Sequence, residues 1–528
     1  MQIIGPDMKR LRTMMLDFPH GEGFESLRRL LSNKFSVEDF NHEVTQRVYY
    51  DTFDWRLHRT NQVFFSSGGA LHLERINGRS VAAAAGRKRS KFFWWNIEEG
   101  KLSDRLKEHI EMRALCPIVD LSTESTQFRI MNKDRKTVAR LVVRNDRLKA
   151  MTSELPELVT VYEVRGYERE FDNIIEYCHK KRCTEIKNKK LFEKLLRISN
   201  LTPRDYGDKF KVDLDQALSI GSAIARICLH LVEDMQKNHA GVIGDIDSEF
   251  LHDFRIAVRR TRSLLSLMKK VLPREQCSYF QNEFRWLGSV TGQLRDIDVY
   301  LLEKDDYLGL LPVSLRDGMN SFFEQLEIRR NVELKKLQSH LGSERFRKLI
   351  NDWRNFLTDP NSELLKGSRQ ENSRDYADKM ILKRFRSFLR DGDRISDASA
   401  DEQLHQLRIK GKKFRYLLEF FKSFYNEKQM SEFLRFMKRL QDNLGDFNDL
   451  SVQQKMLGAE LDGLRAKNLQ TVRFAAALGG LIAVLADRHR AVRNDFESTY
   501  ADFTRPQVQK LLWELVNGPM KKRDSEKR

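Results

Sequence analysis

His252, Arg255, Arg259 and Arg262 follow one another at intervals of three and four residues, and so do His405, Arg408, Lys412 and Arg415. Cations and imidazoles at helical spacing suit one task, holding an anion. Guanidinium forks offer paired donors to phosphate oxygens, and lysines act as mobile point charges. Both sets fit His-x-x-Arg-x-x-x-[Arg/Lys]-[Arg/Lys]-x-Arg at a single offset (405 − 252 = 153), with Arg260 and Lys413 at matching flanks. At about 100° per residue the first set falls within an arc of roughly 80°. Phe254, Val258, Thr261, Leu265 and Met268 take the other side, as do Leu407, Gly411, Phe414, Leu418 and Phe421 in the second copy. An ordinary solvated face interleaves acids with its bases. Neither strip has an acid in its core, although Glu419 follows one turn after the second. Stacked like charges repel, so the pattern costs stability unless a polyanion compensates.

These strips need helices to carry them, and those helices belong to a larger repeat. Gly292-Gln293-Leu294-Arg295-Asp296-Ile297-Asp298-Val299 matches Gly445-Asp446-Phe447-Asn448-Asp449-Leu450-Ser451-Val452 at the same offset (445 − 292 = 153). Two motifs in one register argue for duplication of a multi-helix unit. Asp296 and Asp449 are expected to fix a basic side chain or cap backbone, and not to bind metal.

On these residues, and on Lys413-Phe414-Arg415-Tyr416, the segment from about 214 to 508 resembles the CHAD family. The resemblance implies an all-α bundle of two four-helix repeats, about 214–357 and 374–508. It also implies inorganic polyphosphate as the partner. The residues implied to hold it are His252, Arg255, Arg259, Arg260, Arg262, His405, Arg408, Lys412, Lys413 and Arg415. No catalytic residue, metal or cofactor is expected. Association with polyphosphate granules is the biological output the family suggests.

Residues 1–200 read differently. Phe24 to Lys34 is amphipathic, and Phe171 to Lys180 reads as a second helix. Between them Arg47–Tyr50, Val63–Phe65, Ala70–Arg75, Val138–Val143 and Val159–Arg165 alternate and are rich in β-branched or aromatic residues, as strands are. The motifs Tyr49-Tyr50-Asp51-Thr52-Phe53-Asp54-Trp55-Arg56-Leu57, Leu71–Arg75, Thr137–Leu141 and Tyr162–Arg165 resemble a CYTH domain, the triphosphate-tunnel fold. The resemblance implies an antiparallel β-barrel-like domain with an α+β organisation overall. It departs from the family at the first strand. Met8 to Asp17 lacks Glu-x-Glu-x-Lys, and Glu163 is paired with Val161 where a second acid is expected. The domain is therefore expected to be degenerate as a metal-dependent triphosphatase, the alternative activity. Arg75, Arg113, Arg129, Arg140 and Arg165 remain there as possible phosphate contacts.

A linker is expected at 201–213, a polar connector at about 358–373, and a basic tail at 509–528. The net charge of +18 over 528 residues favours a polyanion, whether acidic polymer, nucleic acid or anionic membrane. Nucleic acid is the weaker choice, since Tyr416 is the one aromatic within a strip. Five cysteines without a Cys-x-x-Cys motif suggest a reducing, cytoplasmic setting. The apolar run Phe474–Ala486 is shorter than the roughly 20 residues of a membrane span and suits a packed helix.

Overall fold

Period-2 alternation builds the N-terminal strands, and apolar rows at helical spacing build the rest. The computed structural model describes residues 11–18, 24–149, 155, 157–203, 210–366, 371–464 and 469–518. The chain divides into two units, Met1–Lys209 and Phe210–Arg528.

In the first unit, β1 (Thr13–Phe18), β2 (Ser36–Asp51), β3 (Gln62–Ser67), β4 (Ala70–Arg75), β5 (Ser80–Ala85), β6 (Cys116–Met131), β7 (Thr137–Leu148), β8 (Glu157–Glu163) and β9 (Thr184–Glu185) form one sheet. Its ladders are antiparallel, in the order β5-β4-β3-β2-β6-β7-β8-β1-β9. Gly68 and Gly69, both at positive φ, make the tight β3–β4 turn. Among the described residues five α-helices accompany the sheet: α1 (Phe24–Ser32), α2 (Arg56–Arg59), α3 (Lys101–Ile110), α4 (Glu168–Lys180) and α5 (Asn188–Ile198). Helices α1 and α4 bury Leu27, Leu31, Phe171 and Ile174 against Leu16, Phe128, Leu141 and Val161. Helix α3 covers Tyr50, Phe64 and Leu73. Helix α5 packs Phe192, Leu195 and Leu196 on Tyr49, Val63, Phe65 and Leu121.

The motif from Tyr49 to Leu57 is architectural. Asp51 accepts backbone N–H groups from Thr52, Leu57 and His58 at 2.7, 3.1 and 2.9 Å, which fastens α2 to the end of β2. Burial pushes its carboxyl up to about 7. Asp54, also buried, pairs with Arg56 at 2.9 Å and with Arg113 at 3.7 Å. Arg113 is therefore a core residue, 2% exposed, and is no phosphate contact.

The second unit is helical: α6 (Ile220–Ile243), α7 (Ser248–Leu267), α8 (Arg274–Val290), α9 (Gly292–Leu302), α10 (Lys304–Leu310), α11 (Val313–Arg316), α12 (Asn320–Leu341), α13 (Glu344–Thr358), α14 (Glu363–Lys366), α15 (Ser373–Gly392), α16 (Asp401–Phe421), α17 (Glu427–Asp462), α18 (Leu469–Thr504) and α19 (Pro506–Asn517). Helix starts repeat at the sequence offset: 220 + 153 = 373, 248 + 153 = 401 and 274 + 153 = 427. Even the caps correspond. Ser219 caps α6 through Ser222 N–H, and Asn372, its counterpart, caps α15 through the N–H groups of Arg374 and Asp375. Ser219 and Asn372 also pair as an antiparallel bridge. Ile220 N–H donates to Glu371 O at 3.0 Å and Ser373 N–H to Leu218 O at 2.9 Å, so equivalent atoms exchange hydrogen bonds about a local two-fold.

The repeats differ at the junction of α8 and α9. Between α8 and α9, Thr291 Oγ1 donates to Leu287 O at 2.8 Å and accepts from Arg255 at 3.2 Å. Leu444 stands at the equivalent place, and α17 runs through it unbroken. Two expected boundaries also shift. Phe210, assigned to the linker, is buried, so the packed unit begins earlier than residue 214. The tail expected from 509 starts as α19, which has proline at its first turn and buries Val508, Leu512, Leu515 and Val516. Residues 519–528 of that tail lie outside the described residues, as do 204–209 of the linker.

Candidate functional site

Helix α7 packs against α16, so the two repeated strips meet near the local two-fold. Each helix first buries its apolar side: Phe254, Val258, Thr261 and Leu265 on α7, and Leu407, Gly411, Phe414 and Leu418 on α16. The opposite sides then flank a cavity of about 530 Å³. Six cations line it: Arg259 and Arg262 from α7, Arg408, Lys412 and Lys413 from α16, and Arg285 from α8. Ser263, Ser266, Gln281, Ile409 and Tyr416 complete the lining, and no carboxylate is part of it among the described residues.

The electrostatics follow from this crowding. Burial is the first cause that holds Arg408 below its ordinary value, with Arg259 adding repulsion and Asp449 opposing. Lys412 is pushed down to about 8 by burial, then by Arg408 and Arg259. Arg262 is lowered by burial and by Arg285, and Lys413 by burial and by Arg384. Arg255 is lowered by burial, with Asp296 opposing and Arg259, Arg295 and Arg262 adding to the shift. Each of these groups would regain stabilisation from a bound anion.

Five of the ten residues named from sequence share the cavity: Arg259, Arg262, Arg408, Lys412 and Lys413. The others lie outside its lining, and most are tied to other partners. Arg255 donates to Gly288 O at 3.3 Å and to Thr291 at 3.2 Å, one turn below the cavity. Arg260 pairs with Glu419 at 2.9 Å and stacks on Phe210. Arg415 pairs with the same Glu419 at 2.7 Å and donates to Gln441 at 3.2 Å. One acid thus claims two expected site cations. His252 sits on α7 one turn before Arg255. His405 donates from Nδ1 to Asn448 Oδ1 at 2.5 Å, and the Asn448 amide N–H donates to Asp449 at 3.1 Å. Asp449 also pairs with Arg408 at 3.2 Å. The His405–Asn448–Asp449–Arg408 chain therefore orients one lining cation, which is the structural use expected for Asp449.

Sequence reasoning missed Arg285, Gln281, Ser263 and Ser266. Arg285 carried one signal, a basic counterpart at the repeat offset (285 + 153 = 438, Lys438). Lys438 is paired with Asp442 at 3.8 Å, and Arg285 donates to Asn282 at 2.7 Å.

In the first unit, Glu163 is committed to Arg12, accepting from its backbone N–H and its Nε at 2.7 Å each. Arg47, Glu74, Arg144 and Asp146 line a cavity of about 210 Å³ that α5 partly fills with Phe192 and Leu195. Arg144 pairs there with Asp146 at 3.0 Å.

Among known families, the CHAD domain model matches residues 226–458, which include every lining residue of the cationic cavity. Two solved structures are similar to the chain. The crystal structure of the CHAD domain from the plant Ricinus communis is 24% identical, with a TM-score of 0.48, over 57% of this chain and 98% of that one. PptA from Streptomyces chartreusis is 15% identical, with a TM-score of 0.41, over 53% of this chain and 99% of that one. No curated protein matches the chain.

Proposed function

Because the chain carries a CHAD domain over residues 226–458, we propose that it binds inorganic polyphosphate in the cavity between α7, α8 and α16. The observation that carries this reading is the convergence of six cations from three helices on one cavity whose lining, among the described residues, holds no carboxylate. A polymer with about one charge per phosphate and no bases matches a lining of forks and point charges. Tyr416, the aromatic residue of the lining, is 8% exposed and offers no open face for a base. That favours polyphosphate over nucleic acid at this cavity. Of the ten residues implied by the family, Arg259, Arg262, Arg408, Lys412 and Lys413 are read as direct contacts, and Arg285 joins them. His252, Arg255, Arg260, His405 and Arg415 act from behind or beside the site. The first unit is read as a CYTH-like sheet without triphosphatase activity, since Glu163 is held by Arg12. Association with polyphosphate granules follows as the cellular reading.

Titration of the full chain with long-chain polyphosphate tests this reading. The double variant Arg259→Glu with Lys412→Glu is expected to weaken binding at least about a hundredfold at ~0.15 M salt, since each substitution replaces an attraction with a repulsion. An unchanged affinity would remove the assignment. Duplex DNA of matched charge is expected to compete poorly.

A further inference from the structure

A second group of cations lies on the sheet of the first unit, and it differs in kind from the first. Phe128, Leu141 and Val161 point toward α1 and α4. Side chains alternate along a strand, so Arg129, Arg140 and Tyr162 point to the opposite face. Register places them side by side: Arg129 pairs with Arg140 across β6 and β7, and Arg140 with Tyr162 across β7 and β8. At one end the ladder between β2 and β6 shifts register between Asp39 and Asn41, where Phe40 sits, and the Arg129 guanidinium lies over the Phe40 ring at 3.5 Å. At the other end Arg165 follows β8. All five residues border a cavity of about 460 Å³.

Two features make this row unusual for a surface. Both aromatic residues are exposed, Phe40 at 54% and Tyr162 at 40%, with Arg129 covering one face of the Phe40 ring. The acids nearby do not neutralise the arginines. Glu163 is taken by Arg12, and Glu38, opposite Arg129 in the ladder, makes no ion pair with it among the described residues. Arg140 and Arg165 are exposed and show no carboxylate partner among the described residues.

Aromatic rings interleaved with guanidinium groups recognise bases and phosphates together. A bare phosphate chain has no use for the rings. A duplex keeps its bases stacked away from them. Phe40 on β2 and Tyr162 on β8 are three inter-strand spacings apart, about 14 Å, too far to clamp one base. The ligand is thus an oligomer with at least two free bases. We propose that this row binds single-stranded nucleic acid, with bases stacked on Phe40 and Tyr162 and phosphates held by Arg140 and Arg165. Nothing in this assignment depends on the cavity of the helical unit.

The test uses the full chain and a short fluorescent oligouridylate at ~0.15 M salt. Replacing both rings, Phe40→Ala with Tyr162→Ala, is expected to weaken oligouridylate binding by about tenfold or more. Long-chain polyphosphate binding and thermal stability should stay unchanged, because both rings are exposed. Tyr162→Trp retains the affinity, and Arg140→Ala with Arg165→Ala lowers the salt slope by about one to two. The proposal is overturned if the unmodified chain does not bind oligouridylate, if a matched duplex binds as well, or if the ring variants bind like the parent. It is also overturned if Arg259→Glu with Lys412→Glu abolishes oligouridylate binding while the ring variants do not, for the oligomer then sits in the helical cavity.

Discussion

Among single residues, Lys412 has the most to report. Its ammonium is held at about 8, well under its ordinary 10.5, by burial and by two neighbouring guanidinium groups. A bound polyanion restores the proton, so binding near pH 8 to 9 takes up protons and polyphosphate affinity falls as pH rises through 8. The effect on the fold has the opposite sense. Between about 8 and 10.5 the unfolded chain holds more protons than the folded one, so stability rises with pH across that window, and the full penalty is present below it. Lys412→Met is accordingly expected to stabilise the protein by about 2 kcal/mol at pH 7, to lose that advantage by about pH 10.5, and to flatten the pH dependence of polyphosphate binding. Calorimetric titrations in buffers of different ionisation enthalpy, with thermal melts at each pH, check all three. A parent affinity that is flat from pH 7 to 10 would show that Lys412 is not at the contact. The cations themselves were legible in the sequence because type and spacing reveal them. Their neutralisation was not, because it depends on carboxylates brought in from other turns and other helices.

Among elements, the two strips are alike in sequence but not in use. Ser266 lines the cavity after the first strip, whereas Glu419 stands at the equivalent place after the second (266 + 153 = 419). Glu419 is 12% exposed at its side chain and draws both Arg260 and Arg415 away. It limits the length of the cationic surface. Glu419→Gln keeps the shape but frees two guanidinium groups beside Lys412. Polyphosphate affinity is expected to rise and its salt slope to steepen by about one, while stability drops by about 2 kcal/mol for the unpaired charge. A variant with the parent's slope would mean that the freed arginines face away from the polymer. The helices were readable because a 153-residue repeat states each pattern twice. The strands were readable in part. Val63–Phe65, Ala70–Arg75 and Val138–Val143 fall within β3, β4 and β7, and the expected Val159–Arg165 overruns β8 by two residues. Strand β3 is buried on both faces, and its β-branched and aromatic residues marked it. Most of β2 and all of β6 escaped notice. Residues Glu38 to Val44 of β2 are exposed on both faces, so no period-2 apolar pattern marks them. Helix α18 ran longer than its apolar run suggested. It is long and apolar enough by length and composition to cross a membrane, yet Phe474, Leu478, Leu481 and Leu485 pack with Met319, Phe322 and Phe323.

For the whole molecule, the question is whether +18 of net charge or one built cavity does the binding. The two give different salt dependences. A diffuse basic surface recruits as many phosphates as it can reach, so the slope of log K against log salt grows with polymer length. A cavity with six lining cations fixes the number of displaced counterions. By analogy with nucleic acids the slope should be about 4 to 5 in magnitude, and it should stop growing once the chain is long enough to span the site. Asp449 already compensates part of Arg408, which argues for the lower end of that range. Affinities for a series of polyphosphate lengths, each measured across salt, separate the two cases. A plateau that falls by about two in Arg259→Glu with Lys412→Glu places the contact in the cavity. A slope that keeps climbing with length, and that the variant leaves in place, would assign binding to the overall charge and deprive the α7–α16 geometry of its role.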